Sequence, residues 1–168
     1  MNDEIVNRVA NSDLITIDLA DYAPTSAIKI LDIKDFLFEG IFLKEKEFRT
    51  SLKEFDFSAY TNKTVALNCS TDAIVPMWAF MLITSYLNNI ASEIHFGTKE
   101  EVFQKKFSDN IDFIDASEFE GKKVIVKGCG QIPLSEILYI AITKKLQNTV
   151  SSLMFGEACS AVPVFKKK

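Results

Sequence analysis

From Lys63 onward, short apolar segments alternate with longer helical segments, and this alternation is the strongest constraint on the fold. The predicted strands are residues 64–67, 93–96, 124–127 and 151–155. The predicted helices are residues 74–90, 99–107 and 133–146. Strands separated by helices need crossover connections, which produce a parallel sheet covered by helices. We therefore predict an α/β fold with a mainly parallel sheet.

The amino-terminal part of the chain has a different pattern. Apolar and polar residues alternate over residues 14–19, and two further apolar stretches follow at 27–33 and 40–43. This pattern predicts a small antiparallel β-meander that precedes the parallel sheet. Apolar residues at helical spacing predict a short helix at 3–10 and a surface helix at 44–55.

No linker rich in glycine, proline or serine interrupts the chain, and no internal repeat of solenoid length is found. A chain of 168 residues is long enough for one domain of ordinary size. We therefore predict a single domain over residues 1–168, with a β-rich portion at 1–62 and an α/β portion at 63–168.

Composition and charge exclude several classes of function. Hydrophobic residues make up 48% of the chain, which is typical of a packed globular protein. A net charge of -4 argues against binding to nucleic acid. The acidic opening lacks the features of a secretory signal, so we expect a cytoplasmic protein. Residues 73–83 form the longest apolar run, about half the length of a membrane span, so we expect no membrane insertion.

Three cysteines follow three of the predicted strands. Cys69 follows the first strand, Cys129 the third and Cys159 the fourth. The carboxyl ends of parallel strands lie along one edge of a sheet, where binding crevices form. We therefore expect the three thiols to face the same rim. In the cytosol thiols stay reduced, so ligand or nucleophile roles are favoured over disulfides.

Three motifs contain these cysteines and carry a resemblance to a known family. The motifs are Cys69-Ser70 followed by Asp72-Ala73-Ile74-Val75-Pro76, then Gly128-Cys129-Gly130, and then Gly156-Glu157 followed by Cys159-Ser160 and Val162-Pro163. On these motifs the chain resembles a bacterial family known as a domain of unknown function. The resemblance implies that the three cysteines belong to one site. It also implies a link to iron–sulfur assembly, with iron–sulfur assembly proteins as partners.

The first interpretation of the cysteines is a metal site. Thiolates are soft ligands that select zinc, copper(I) or iron–sulfur centres. Cys69, Cys129 and Cys159 would hold zinc or an iron–sulfur cluster, with one position left for another ligand. Asp72 and Glu157 are the candidate fourth ligands because each lies close in sequence to a cysteine.

Two other interpretations stay open. A reactive thiol needs only one functional cysteine, and Cys129 lies between two glycines ahead of a predicted helix, a position that favours the thiolate. Alternatively, the cysteines are buried as small hydrophobic residues, and the function is association. Association would form a homodimer through the uncharged helix from Ile74 to Ile90, with Met77 and Trp78 as anchors.

Other candidate groups have simple structural explanations. Asp72 is also expected as the N-cap of the helix that begins near Ile74. His95, the only histidine, lies inside a predicted strand, where a structural role is expected. No phosphate-binding glycine loop and no hydrolase or zinc-protease motif is found. The sequence therefore gives no nucleotide signal and leaves open whether the protein is an enzyme.

Overall fold

The computed structural model describes residues 14–128, 130 and 132–168. The chain divides into two compact units. We call Thr25–Phe103 the continuous unit; the split unit combines the chain up to Pro24 with Gln104–Lys168. The helix predicted at residues 3–10 lies outside the described residues. The single domain over residues 1–168 stays a prediction.

Seven strands and four helices are described. The strands are β1 (Leu14–Asp18), β2 (Ile28–Asp32), β3 (Thr64–Asn68), β4 (Glu93–Phe96), β5 (Lys123–Lys127), β6 (Ser152–Phe155) and β7 (Val162–Lys166). The helices are α1 (Glu45–Glu54), α2 (Met77–Leu87), α3 (Lys99–Asp112) and α4 (Glu136–Leu146). No helix within the described ranges has the length and hydropathy that a membrane crossing needs. The predicted α/β fold is confirmed.

The continuous unit contains a parallel three-stranded sheet in the order β2-β3-β4. The central strand β3 is buried from Thr64 to Leu67, as expected for a parallel strand that is covered on both faces. α1 contributes the fully buried Phe48 and Leu52 to the core. α2 contributes a second set at a spacing of four residues, namely Ala79, Ile83 and Leu87. That spacing places the three side chains on one side of the helix.

The split unit contains a four-stranded sheet in the order β1-β5-β6-β7. β1, β5 and β6 are parallel, and β7 pairs with β6 in the antiparallel direction. Residues Val124 to Val126 of β5 are buried. The helices contribute a set of buried apolar side chains, namely Phe107, Ile111, Leu138, Ile142 and Leu146.

The two units repeat one architecture at a constant spacing of 59 residues, the spacing between Asp56 and Asp115. Each of these aspartates caps a short 3₁₀ helix ahead of the central strand, because its carboxylate accepts a hydrogen bond from the backbone of Ser58 or Ser117. Hydrogen bonds from the same serine, backbone and side chain, lower the pKa of each aspartate below its usual value. The first strands resemble each other too, since Asp18 and Asp32 each cap a 3₁₀ helix at the strand end.

The backbone hydrogen bonds follow the same spacing. Asn62 donates to the Ile90 carbonyl at 2.9 Å, and Gly121 donates to the Thr149 carbonyl at 3.0 Å. Both donors have a positive φ, 57° and 68°, so the same turn precedes β3 and β5. In the same way, Gly97 and Gly156 each donate to a central strand at 3.0 Å, to the carbonyls of Leu67 and Val126. α2 is therefore equivalent to α4, and β4 to β6.

The predicted antiparallel meander is only partly confirmed. β1 and β2 occur where they were expected, but they pair in parallel with β5 and β3. The antiparallel pairing described before residue 63 is a single bridge between Phe38 and Phe42. The physical reason is that a capped 3₁₀ helix, not a tight hairpin turn, follows each of these strands. Each strand instead joins a parallel sheet, so the parallel strands form two sheets rather than one.

Candidate functional site

Cys69 comes directly after β3 in the continuous unit. Its side chain is partly buried and packs against the core of that unit. The Sγ atom lies 3.6 Å from the Thr71 carbonyl oxygen and 3.5 Å from the Thr71 hydroxyl. That hydroxyl donates to the Gly40 carbonyl at 2.9 Å. Cys69 is therefore a free thiol held inside an ordered loop.

Asp32, at the end of the neighbouring strand β2, fixes the same loop. Its carboxylate accepts hydrogen bonds from the backbone of Lys34 and Ser70, both at 3.0 Å. Burial alone would raise the pKa of Asp32, but the hydrogen bonds from Ser70 and Lys34 outweigh it and lower this pKa below its usual value. Between these strand ends, the buried Oδ1 atom of Asn68 has no hydrogen-bond partner in the described part of the chain.

The other two cysteines belong to the split unit. Cys159 is an exposed free thiol in the connection between β6 and β7. That connection contains a turn in which Ser160 donates to the Glu157 carbonyl at 2.9 Å. Cys129 lies outside the described residues.

The expected single rim with three thiols is corrected by this arrangement. Cys69 follows a strand of one sheet, whereas Cys159 follows a strand of the other. The reason is that β1 and β2 each join a separate set of strands, which divides the predicted parallel sheet. Within the described ranges, no three His, Cys, Asp or Glu side chains are grouped to hold a metal ion. Because Cys129 is not among those residues, the three-cysteine site itself stays a prediction.

The candidate fourth ligands occupy different settings. Asp72 is exposed in the loop before α2, and its expected role as the N-cap is wrong, because the helix begins at Met77 with Pro76 as the N-cap. Glu157 is exposed beside Cys159. His95 lies inside β4, where its Nε2 atom is 2.8 Å from a carboxylate oxygen of Glu93.

Each unit has an apolar groove, and the two grooves lie at equivalent positions. The groove of the split unit has a volume of about 540 Å³, and that of the continuous unit about 390 Å³. Six positions of the repeat line both grooves. In the continuous unit they are Leu67, Phe80, Thr84, Ile94, His95 and Phe96; in the split unit they are Val126, Tyr139, Thr143, Leu153, Met154 and Phe155.

An aromatic pair with the same geometry lies in each groove. Phe80 and Phe96 meet edge to face with ring centroids 5.7 Å apart, and Tyr139 and Phe155 do so at 5.7 Å. Sequence reasoning missed both grooves, although the repeated Phe-Gly pair at the end of β4 and β6 was a signal for them. Linings of this kind favour contacts with apolar groups over acid–base chemistry.

A second apolar surface lies on the exposed side of α2 and shares Met77 with the groove of the continuous unit. Ile74, Met77 and Met81 are 93%, 75% and 72% exposed, and we call these three residues the α2 surface. It lies opposite the side of α2 that is buried in the core. This surface is part of the helix that the sequence marked as a candidate for association.

Comparison with known proteins assigns the chain to a family. A family model described as "Protein of unknown function (DUF2480)" matches residues 3–167. No curated protein matches the chain, and no solved structure matches it. The matched range includes both units and agrees with the resemblance inferred from the sequence. The chain belongs to the DUF2480 family of proteins of unknown function.

Proposed function

We propose that this protein is a non-enzymatic interaction protein that forms a homodimer through the α2 surface. The observation that carries the proposal is the strong exposure of Met77 and Met81 on α2, which contains no charged residue, and of Ile74 in the loop just before it. The solvent side of an amphipathic helix is normally polar or charged. An apolar patch on that side is typical of an interaction site.

The chemistry of α2 favours a second copy of this chain as the partner. A two-fold interface brings the same surface of both copies together, so a charged residue near its centre would lie close to the same charge on the other copy. α2 contains no Asp, Glu, Lys or Arg, and self-association therefore brings no like charges together. The flexible side chains of Met77 and Met81 adapt to an apolar partner surface, which also supports this pairing.

The substitution Met81→Glu tests this proposal. We expect the wild-type protein to form a dimer at micromolar concentration, and the variant to dimerise at least about tenfold more weakly, because a buried unpaired carboxylate costs more than 1.4 kcal/mol. Sedimentation equilibrium of both proteins over a range of concentrations measures the difference.

Ile140→Glu is the matched control, since Ile140 occupies the position of α4 that is equivalent to Met81 and is 60% exposed. It introduces the same charge outside the α2 surface and is expected to change the dimer dissociation constant less than about twofold. A wild-type protein that stays monomeric, or two variants with equal effects, would contradict the proposal.

A zinc or iron–sulfur site formed by Cys69, Cys129 and Cys159 is a second candidate. What supports it is that Cys159 is exposed and Cys69 only partly buried, so neither thiol is sealed in a core. Asp72 or Glu157 would supply the fourth ligand. An iron–sulfur cluster would also agree with the implied link to iron–sulfur assembly proteins.

Metal analysis of anaerobically purified protein tests the second candidate. If the site exists, zinc or iron is expected at stoichiometric amounts, and replacing any one of the three cysteines with serine is expected to reduce metal retention, because each thiolate is a ligand. Ser70→Ala, next to Cys69, is the control that leaves all three thiols in place. Metal-free protein with three reactive thiols would contradict a metal site.

A further inference from the structure

We propose that the outer edge of β4 binds an extended segment of a partner protein, which joins the three-stranded sheet as an antiparallel fourth strand. β4 lies at the end of its sheet and pairs with β3 alone among the described strands. An edge strand of this kind presents backbone groups to which an incoming strand can bind. This site is the backbone edge of β4, and of the α2 surface only Met77 lines the neighbouring groove, so the site does not depend on the homodimer.

The repeat within the chain supplies the template for this interaction. β6 is the equivalent of β4, and its outer edge is covered by β7 in the antiparallel direction. In that pairing Ser152 lies opposite Lys166, and Phe155 lies opposite Val162. Among the described strands, one edge of this type is therefore covered by a fourth strand and the equivalent edge of β4 is not.

The two grooves differ in their lining and in the exposure of the aromatic residue at the strand end, as expected if only one of them is covered by a fourth strand. In the split unit, Val164 of β7 lines the groove together with Phe155, which is 47% exposed. In the continuous unit, the equivalent Phe96 is 75% exposed, and residues of α2, β3 and β4 alone line the groove. An apolar side chain in the position of Val164 would cover the Phe96 ring and bury its area.

Charge specifies the partner further. The equivalent of Ser152 is Glu93, the first residue of β4, whose partly exposed carboxylate also contacts His95 Nε2 at 2.8 Å. In the pairing of β6 with β7, Lys166 lies opposite Ser152, so a strand added to β4 in the same register would place a Lys opposite Glu93. Opposite charges on directly paired residues favour strand association. The expected partner is therefore an extended segment with alternating apolar residues and a Lys or Arg opposite Glu93.

A synthetic peptide with the sequence of residues 160–168 is the probe, because it contains β7 and its three terminal lysines. We expect the fluorescently labelled peptide to bind the full chain with a saturable rise in anisotropy. Glu93→Lys is expected to weaken binding at least about tenfold, because two cations then lie opposite each other. The matched variant Ser152→Lys makes the same change at the equivalent position of β6 and is expected to alter binding less than about twofold.

A charge swap and an apolar change complete the test. A peptide with Lys166→Glu is expected to bind the Glu93→Lys chain more tightly than it binds the wild type. Phe96→Ser is expected to weaken binding of the original peptide more than Phe155→Ser, and the exposure of Phe96 makes a folding defect from this change small. These results would support the assignment of the site to β4.

Three outcomes would overturn the proposal. The first is no saturable binding. The second is equal weakening by Glu93→Lys and Ser152→Lys, which would mean that the peptide displaces β7 from β6. The third is self-association of the chain that depends on Glu93 and occurs without peptide binding, which would assign the edge to a second copy. Met81→Glu is expected to leave peptide binding unchanged, so failure of the homodimer and failure of this site are distinguishable.

Discussion

Replacing Phe48 with alanine is expected to lower the free energy of unfolding by about 3–5 kcal/mol. Phe48 is fully buried on α1 and meets Phe36 and Trp78 edge to face, with ring centroids 6.2 and 5.8 Å away. The loss combines the transfer free energy of the ring with the cavity left between the remaining aromatic side chains. Trp78 is the only tryptophan, so its fluorescence in a urea titration reports unfolding of the continuous unit.

Phe42→Ala is the control, because Phe42 is 60% exposed and lies in the same unit as Phe48 and Trp78. The same change in composition at that site is expected to alter the free energy of unfolding by about 0.5 kcal/mol or less. A loss below about 1 kcal/mol for Phe48→Ala would contradict the described packing of α1, since no rearrangement of a close-packed core fills so large a cavity.

Gly128→Ala is expected to destabilise the protein by about 1–3 kcal/mol. A Cβ atom at this position would overlap the end of the Leu134 side chain and the hydroxyl of Tyr139. Those side chains would have to move, and Tyr139 would lose its edge-to-face geometry with Phe155 in the groove. Thermal and urea unfolding, followed by far-ultraviolet circular dichroism, measure the loss.

The repeat suggests the matched experiment. The equivalent of Gly128 is Cys69, which has a side chain, and the equivalent of Tyr139 is Phe80, which has no hydroxyl. We therefore expect Tyr139→Phe to recover part of the loss caused by Gly128→Ala, because it removes one of the two overlapping groups. Additive losses in the double variant would contradict the role of the hydroxyl.

Local pattern was sufficient to predict most of the elements. The strands predicted at 64–67, 93–96 and 124–127 agree with β3, β4 and β5 to within one residue at each end. The apolar residues of β3 and β5 are buried on both faces of a sheet, so the pattern reflects the local environment directly. Helix ends were predicted less well. The helix predicted from Ile74 begins at Met77, because the extended backbone of Pro76 precedes its first turn.

Pairing between distant strands could not be predicted in the same way. β1 and β2 are neighbours in sequence, and a meander was the simplest arrangement for them. Each instead pairs with a strand more than thirty residues later, Leu14 with Lys123 and Ile28 with Thr64. Such pairing depends on which partners bury both faces of the strand, and this information is spread over the whole chain.

By itself, the sequence determined the α/β class, most of the strands and the family, because periodicity, turn residues and motifs are local properties of the chain. The tertiary structure decided that the parallel strands form two sheets, so that Cys69 and Cys159 follow strands of separate sheets. It also decided that β6 has a fourth strand beside it, whereas β4 has none among the residues that the structure describes. The physical reason is that strand pairing and the exposure of an edge depend on contacts between residues far apart in sequence, which no local pattern contains.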